Sequence, residues 1–89
     1  MPFAYELFFT HQAKKELAKI RKGNPSIARL ITDHLNQLQF DPHIGVPLHG
    51  DLKGRMKLRV GNYRIIYTIE KNKLIIYVLT VAHRKDVYR

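Results

Sequence analysis

Residues 55–70 read Arg-Met-Lys-Leu-Arg-Val-Gly-Asn-Tyr-Arg-Ile-Ile-Tyr-Thr-Ile-Glu. The first six alternate charged and apolar side chains, and the last eight are rich in β-branched and aromatic residues, so both segments predict strands. Gly61-Asn62 between them predicts a two-residue hairpin turn, with glycine at the position that suits type II′. Such a turn sets the register: Val60 faces Tyr63, Arg59 faces Arg64, Leu58 faces Ile65, Lys57 faces Ile66 and Met56 faces Tyr67. Because strand side chains alternate, Met56, Leu58, Val60, Tyr63, Ile65 and Tyr67 fall on one side. Arg55, Lys57, Arg59 and Arg64 fall on the other. Like charges directly opposite one another in a sheet are unfavourable, so a bound anion is the simplest counter-charge for this face. Arginine forks and a lysine ammonium both suit phosphate oxygens.

Beyond the hairpin, Lys71-Asn72-Lys73 predicts a second turn. Leu74 to Ala82 then form an almost wholly apolar strand of the kind covered on both faces. A basic tail, His83-Arg84-Lys85-Asp86-Val87-Tyr88-Arg89, closes the chain. On the N-terminal side, residues 3–9 predict a short aromatic strand. Thr10 caps a helix over 11–22, where Ala13, Leu17 and Ile20 recur at helical spacing and Gly23 marks the end. Asn24-Pro25 starts a second helix with Ile27, Leu30, Ile31, Leu35 and Leu38 as its apolar stripe. Residues 41–54 carry prolines and glycines with no period and predict a loop. The expected fold class is α+β: an N-terminal strand, then an αα-hairpin packed on one face of a largely antiparallel four-stranded sheet, then a short basic tail.

The chain has 89 residues with 45% apolar content, enough for one domain spanning 1–89. It has no cysteine, which points to an intracellular protein without disulfides or thiolate metal sites. No apolar run is long enough to cross a membrane and no signal-peptide pattern opens the chain, so a cytoplasmic protein without a membrane partner is expected. Sixteen Lys and Arg against seven Asp and Glu give a net charge of +9, which favours polyanionic partners. The five histidines, 11, 34, 43, 49 and 83, form no HExxH pair, so no metal site is expected. The glycines match no nucleotide-binding fingerprint, and no cofactor is expected.

The run Lys57 to Tyr67, preceded by Leu52-Lys53-Gly54 and followed by His83-Arg84-Lys85-Asp86-Val87-Tyr88, resembles the RelE/ParE superfamily of toxin–antitoxin toxins. The order of elements resembles that family over nearly the whole chain. The resemblance implies a RelE-type endoribonuclease that cleaves messenger RNA on the ribosome without metal, leaving a cyclic phosphate and a 5′-hydroxyl. It also implies a cognate antitoxin as partner. Lys57 and Arg64 match the lysine and arginine of that active site, Arg84 its C-terminal arginine and Tyr88 its tail tyrosine. Arg55 stands where the family often has a second lysine.

Cleavage by the RNA's own 2′-hydroxyl needs a base, cations around the phosphorane and an acid for the leaving oxygen. Lys57 is the candidate base and Arg64 the candidate stabiliser. His83 and Arg84 are alternative acids. Tyr88 is suited to stack on a nucleobase, or else to pack the tail on the sheet. Lys53, Arg55, Arg59, Lys85 and Arg89 are expected RNA contacts. Two other functions share the fold: a ParE-like inhibitor of DNA gyrase, and a non-catalytic homologue that binds only antitoxin or nucleic acid.

Overall fold

The fold is described from a computed structural model over residues 4–87. Strand β1 (Glu6–Phe9) leads into helices α1 (His11–Gly23) and α2 (Pro25–Phe40), and β2 (Val46–Pro47) lies in the loop that follows. Strands β3 (Met56–Val60), β4 (Tyr63–Glu70) and β5 (Ile75–His83) follow, and the short helix α3 (Arg84–Val87) ends the described chain. The sheet order is β1-β5-β4-β3-β2, with β1 parallel to β5 and every other pair antiparallel. Among the described residues no helix is long and apolar enough to cross a membrane.

Local chemistry accounts for the helical hairpin. Thr10 Oγ1 accepts the Ala13 N–H at 3.1 Å, and Asn24 Oδ1 accepts the Ile27 N–H at 3.2 Å, so each helix begins on a side-chain cap. Asn24 also closes α1, since its N–H donates to Ile20 O at 2.7 Å. The core lies between the helices and one face of the sheet: Ala13 and Ile20 from α1, Ala28, Ile31, Leu35 and Leu38 from α2, and Leu58, Val60, Ile65, Tyr67, Ile76, Val78 and Val81 from the strands. Leu30, expected in the α2 stripe, is 42% exposed, because Ala28 takes the sheet-facing position beside Ile31.

The β3–β4 pairing is residue for residue the one read from the sequence, and Gly61 has φ 59° as a type II′ turn requires. Two expectations change. The sheet has five strands and not four, because Val46–Pro47 pairs with Met56 and Lys57 at the edge. A strand of two residues containing proline has no period to detect; its pairing is imposed by tertiary contacts. The second change concerns β5, whose inner face is buried while Tyr77 on the outer face is 37% exposed. Both helices pack their apolar faces on the inner side, and only α1 reaches the open edge of β5, so the outer face is only partly covered.

The contact that holds the 41–54 loop to the sheet is the Tyr67 hydroxyl. Tyr67 is fully buried, its hydroxyl donates to Pro42 O at 2.7 Å and accepts the Gly45 N–H at 3.2 Å. A Cβ on Gly45 would stand 2.6 Å from both Lys57 O and the Tyr67 hydroxyl, so only glycine allows this approach. Burial pushes the phenol above its ordinary value of 10.0; the Gly45 N–H opposes that rise and Asp41 adds to it. The unfolded phenol therefore ionises first as pH rises, and the stabilisation is complete below that value and lost as pH climbs towards the folded-state value. Tyr67→Phe is expected to cost about 1–3 kcal/mol in urea unfolding at neutral pH, by leaving the loop amide without its acceptor. Above pH 10.0 the wild type should lose stability more steeply than the variant, a difference that unfolding curves at pH 8 and 11 would measure.

Candidate active site

The register places two rows of side chains across the outer sheet face. Arg59, Arg64 and Ala82 form one, and Lys57, Ile66 and Thr80 the other. The second row exists because β5 carries a bulge: Tyr67 pairs with Val78 but Ile66 pairs with Thr80, leaving Leu79 as the extra residue. The bulge resets the alternation, so Val81 points into the core and Thr80 and Ala82 point outwards.

A groove of about 1020 Å³ lies over this surface. Its floor holds Lys57, Arg64 and Ile66 with Thr80 and Ala82; Leu48, Leu52 and Arg55 form one wall; Gln12, Glu16 and Lys19 of α1 form the other. The α1 wall is held against an open strand edge. Strand β1 pairs with β5 only as far as Val78, so the β5 backbone beyond it needs other partners. Thr10 N donates to Val78 O at 3.1 Å, the Thr10 hydroxyl donates to Leu79 O at 2.6 Å, and Glu16 Oε1 accepts the Val81 N–H at 2.7 Å. The other Glu16 oxygen accepts from Gln12 Nε2 at 3.0 Å.

Of the residues singled out from the sequence, Lys57 and Arg64 are half-buried in the floor and Arg55 is exposed in the wall. His83 lines one end of the groove but belongs to the opposite face of the pleat, packing edge-on against Tyr63 with ring centroids 5.2 Å apart. Its Nδ1 accepts the Lys85 N–H at 3.2 Å, so a proton on the neutral ring sits on Nε2. Arg84 is exposed at the start of α3, and its N–H donates to Asn62 O at 2.7 Å, tying the tail to the hairpin turn. Arg59, Lys53 and Lys85 are exposed and do not line the groove. Tyr88 and Arg89 lie outside the described residues.

The α1 wall was not singled out, although its signal is present. Glu16 falls three residues after Ala13 and four before Ile20, which places a carboxylate on the helix face that meets the sheet.

Residues 7–88 match the family model of the ParE toxin of type II toxin–antitoxin systems. The chain belongs to the RelE/ParE toxin superfamily. Two toxins of Mycobacterium tuberculosis share this RelE/ParE sequence: Toxin RelG at 32% identity over 86 residues, covering 96% of this chain and 97% of the relative, and Toxin RelE at 36% over 87 residues, covering 96% and 87%. The RelE/ParE fold is likewise similar to the RelBE2 toxin–antitoxin complex of the same organism, with TM-score 0.82 and 30% identity over 94% of this chain and 95% of the other. The intact Escherichia coli RelBE complex matches with TM-score 0.72 and 26% identity over 90% and 96%.

Arg59 and Arg64 stand directly opposite each other. Arg59→Thr should stabilise the fold by about 0.5 kcal/mol in urea unfolding at low ionic strength, since a like-charge cross-strand pair is removed from a strand that favours threonine. The gain should fade near about 1 M salt, where exposed charges are screened.

Proposed function

We propose that this toxin is a ribosome-dependent endoribonuclease that cleaves messenger RNA by attack of the 2′-hydroxyl on its neighbouring phosphate. The observation that carries the reading is the joint placement of Lys57 and Arg64, half-buried, in the floor of one groove. Relatives at 32% and 36% identity are named Toxin RelG and Toxin RelE, which supports the RelE branch.

In this mechanism the phosphodiester lies along the floor. Lys57, acting as the free amine, takes the proton of the 2′-hydroxyl and becomes the ammonium, and the new bond from that oxygen to phosphorus forms in line with the departing 5′-oxygen. Arg64, permanently charged and forked, faces the equatorial oxygens as charge builds on the phosphorane. His83 is the acid that protonates the leaving oxygen. It lines the groove, whereas Arg84 lies outside the lining and a guanidinium does not give up its proton. His83 gives its Nε2 proton from the doubly protonated imidazolium, in which Nδ1 carries a proton and no longer accepts the Lys85 N–H, and returns to the neutral ring. Arg84, Arg55, Arg59, Lys53 and Lys85 contribute positive potential along the message, and Tyr88 a stacking surface. The products are a 2′,3′-cyclic phosphate and a 5′-hydroxyl. The ribosome holds the message in place, which puts the site of action in the cytoplasm.

A cognate antitoxin is the protein partner. Similar solved structures include toxin–antitoxin complexes, and an acidic antitoxin segment laid over Lys57, Arg59 and Arg64 would neutralise the same face that holds RNA. The match to the ParE model favours one alternative, inhibition of DNA gyrase.

Brief expression followed by mapping of RNA 5′ ends separates the two. Breaks should appear inside translated messages and only with ribosomes present. Arg64→Ala should reduce them at least about a hundredfold, the loss expected for removing one preorganised charge from a transition state, while the circular dichroism spectrum is unchanged. Intact messages combined with inhibited supercoiling would select the gyrase reading.

A further inference from the structure

The groove holds one feature that the cleavage steps leave unused: a carboxylate. Glu16 lines it together with Lys57, Arg64 and Arg55. Two hydrogen bonds fix its position, from the Val81 N–H at 2.7 Å to one oxygen and from Gln12 Nε2 at 3.0 Å to the other. Covering the open edge of β5 explains the first bond but not the charge, since any side-chain oxygen at that point could accept an N–H. An ionised carboxylate has about four acceptor positions, so each oxygen keeps one for a ligand.

A fixed negative charge repels phosphate. An RNA strand in this groove therefore runs its backbone over Lys57, Arg64 and Arg55 and turns its bases towards α1. Bases of single-stranded RNA are read by hydrogen bonds along their Watson–Crick edges. Guanine presents two adjacent donors there, N1–H and the N2 amino group, which match the two oxygens of one carboxylate. Uracil offers one donor between two acceptors, and adenine and cytosine each place an acceptor beside their single amino donor. Those acceptors would face the carboxylate with like charge. Lys19, one turn along the same wall, supplies a donor of the kind guanine O6 accepts.

We infer that Glu16 is a specificity-determining residue whose carboxylate selects guanine at one position beside the scissile bond. The inference rests on the ribonuclease reading above.

Two measurements test it. In 5′-end maps from wild-type expression, guanine should be enriched at one fixed position relative to the cut by roughly tenfold, the discrimination that a bidentate base contact gives. Glu16→Gln keeps an acceptor for the Val81 N–H but replaces the second acceptor with a donor. Its breaks should be spread over all four nucleotides at that position. Independently of any variant, wild-type protein with ribosomes programmed by a short message should cleave a guanine message several-fold faster than one carrying inosine there, because inosine lacks the N2 amino group. Equal guanine enrichment in wild type and Glu16→Gln, or equal cleavage of the guanine and inosine messages, would overturn the assignment of Glu16 while leaving the ribonuclease reading in place. Absence of breaks with wild-type protein would overturn both.

Discussion

Side chains in a strand alternate between faces, so a pairing shifted by one residue would carry every cation of β3 into the core and every core side chain into water. The two-residue turn at Gly61–Asn62 prevents that shift. Gly61 adopts φ 59°, a region that costs other residues strain, and this closes the hairpin with Arg59 opposite Arg64 and Leu58 opposite Ile65. Burial of Val60, Leu58, Ile65 and Tyr67 then rewards the same register. The electrostatic cost of opposed arginines is a few tenths of a kcal/mol to about 1. Removing even one such apolar side chain from water is worth about 1.5–3 kcal/mol. Core burial thus wins, and the charged face follows from it.

The groove over that face depends on two further devices at the far side of the sheet. The bulge at Leu79 turns Val81 inwards and Thr80 and Ala82 outwards. Thr10 and Glu16 then satisfy the strand edge that β1 leaves uncovered, and in doing so hold α1 as a wall. On the opposite side, the Tyr67 hydroxyl reaches through the core to Pro42 and Gly45 and keeps the 41–54 loop in place, with Leu48 and Leu52 facing the groove. Both walls are therefore fastened by hydrogen bonds to strands of the sheet, α1 to β5 and the 41–54 loop to β4.

What the sequence made readable follows this division. The strands β3 and β4, their register and the common face of Lys57, Arg59 and Arg64 depend on local alternation and one turn, and both are visible in residues 55–70. The helices were visible through Thr10, Asn24 and the apolar spacing that follows each. Strand β2 was not, because Val46–Pro47 pairs only where the Tyr67 hydroxyl brings it. The bulge at Leu79 was hidden in an apolar run in which neither face is marked by charge. Glu16 was hidden for a different reason: its partner, Val81, lies 65 residues away, and only the early end of β1 exposes that N–H. The site's floor is thus local in origin and its walls are tertiary.

In the proposed mechanism, cations on an outer sheet face promote attack by the RNA's own hydroxyl, and the ends of the fragments would record that chemistry. Purified toxin should be incubated with ribosomes carrying a defined message, and the termini analysed by mass spectrometry. A 2′,3′-cyclic phosphate upstream of the break and a 5′-hydroxyl downstream is the predicted result. A 3′-hydroxyl with a 5′-phosphate, the mark of attack by water from the opposite side, would contradict it.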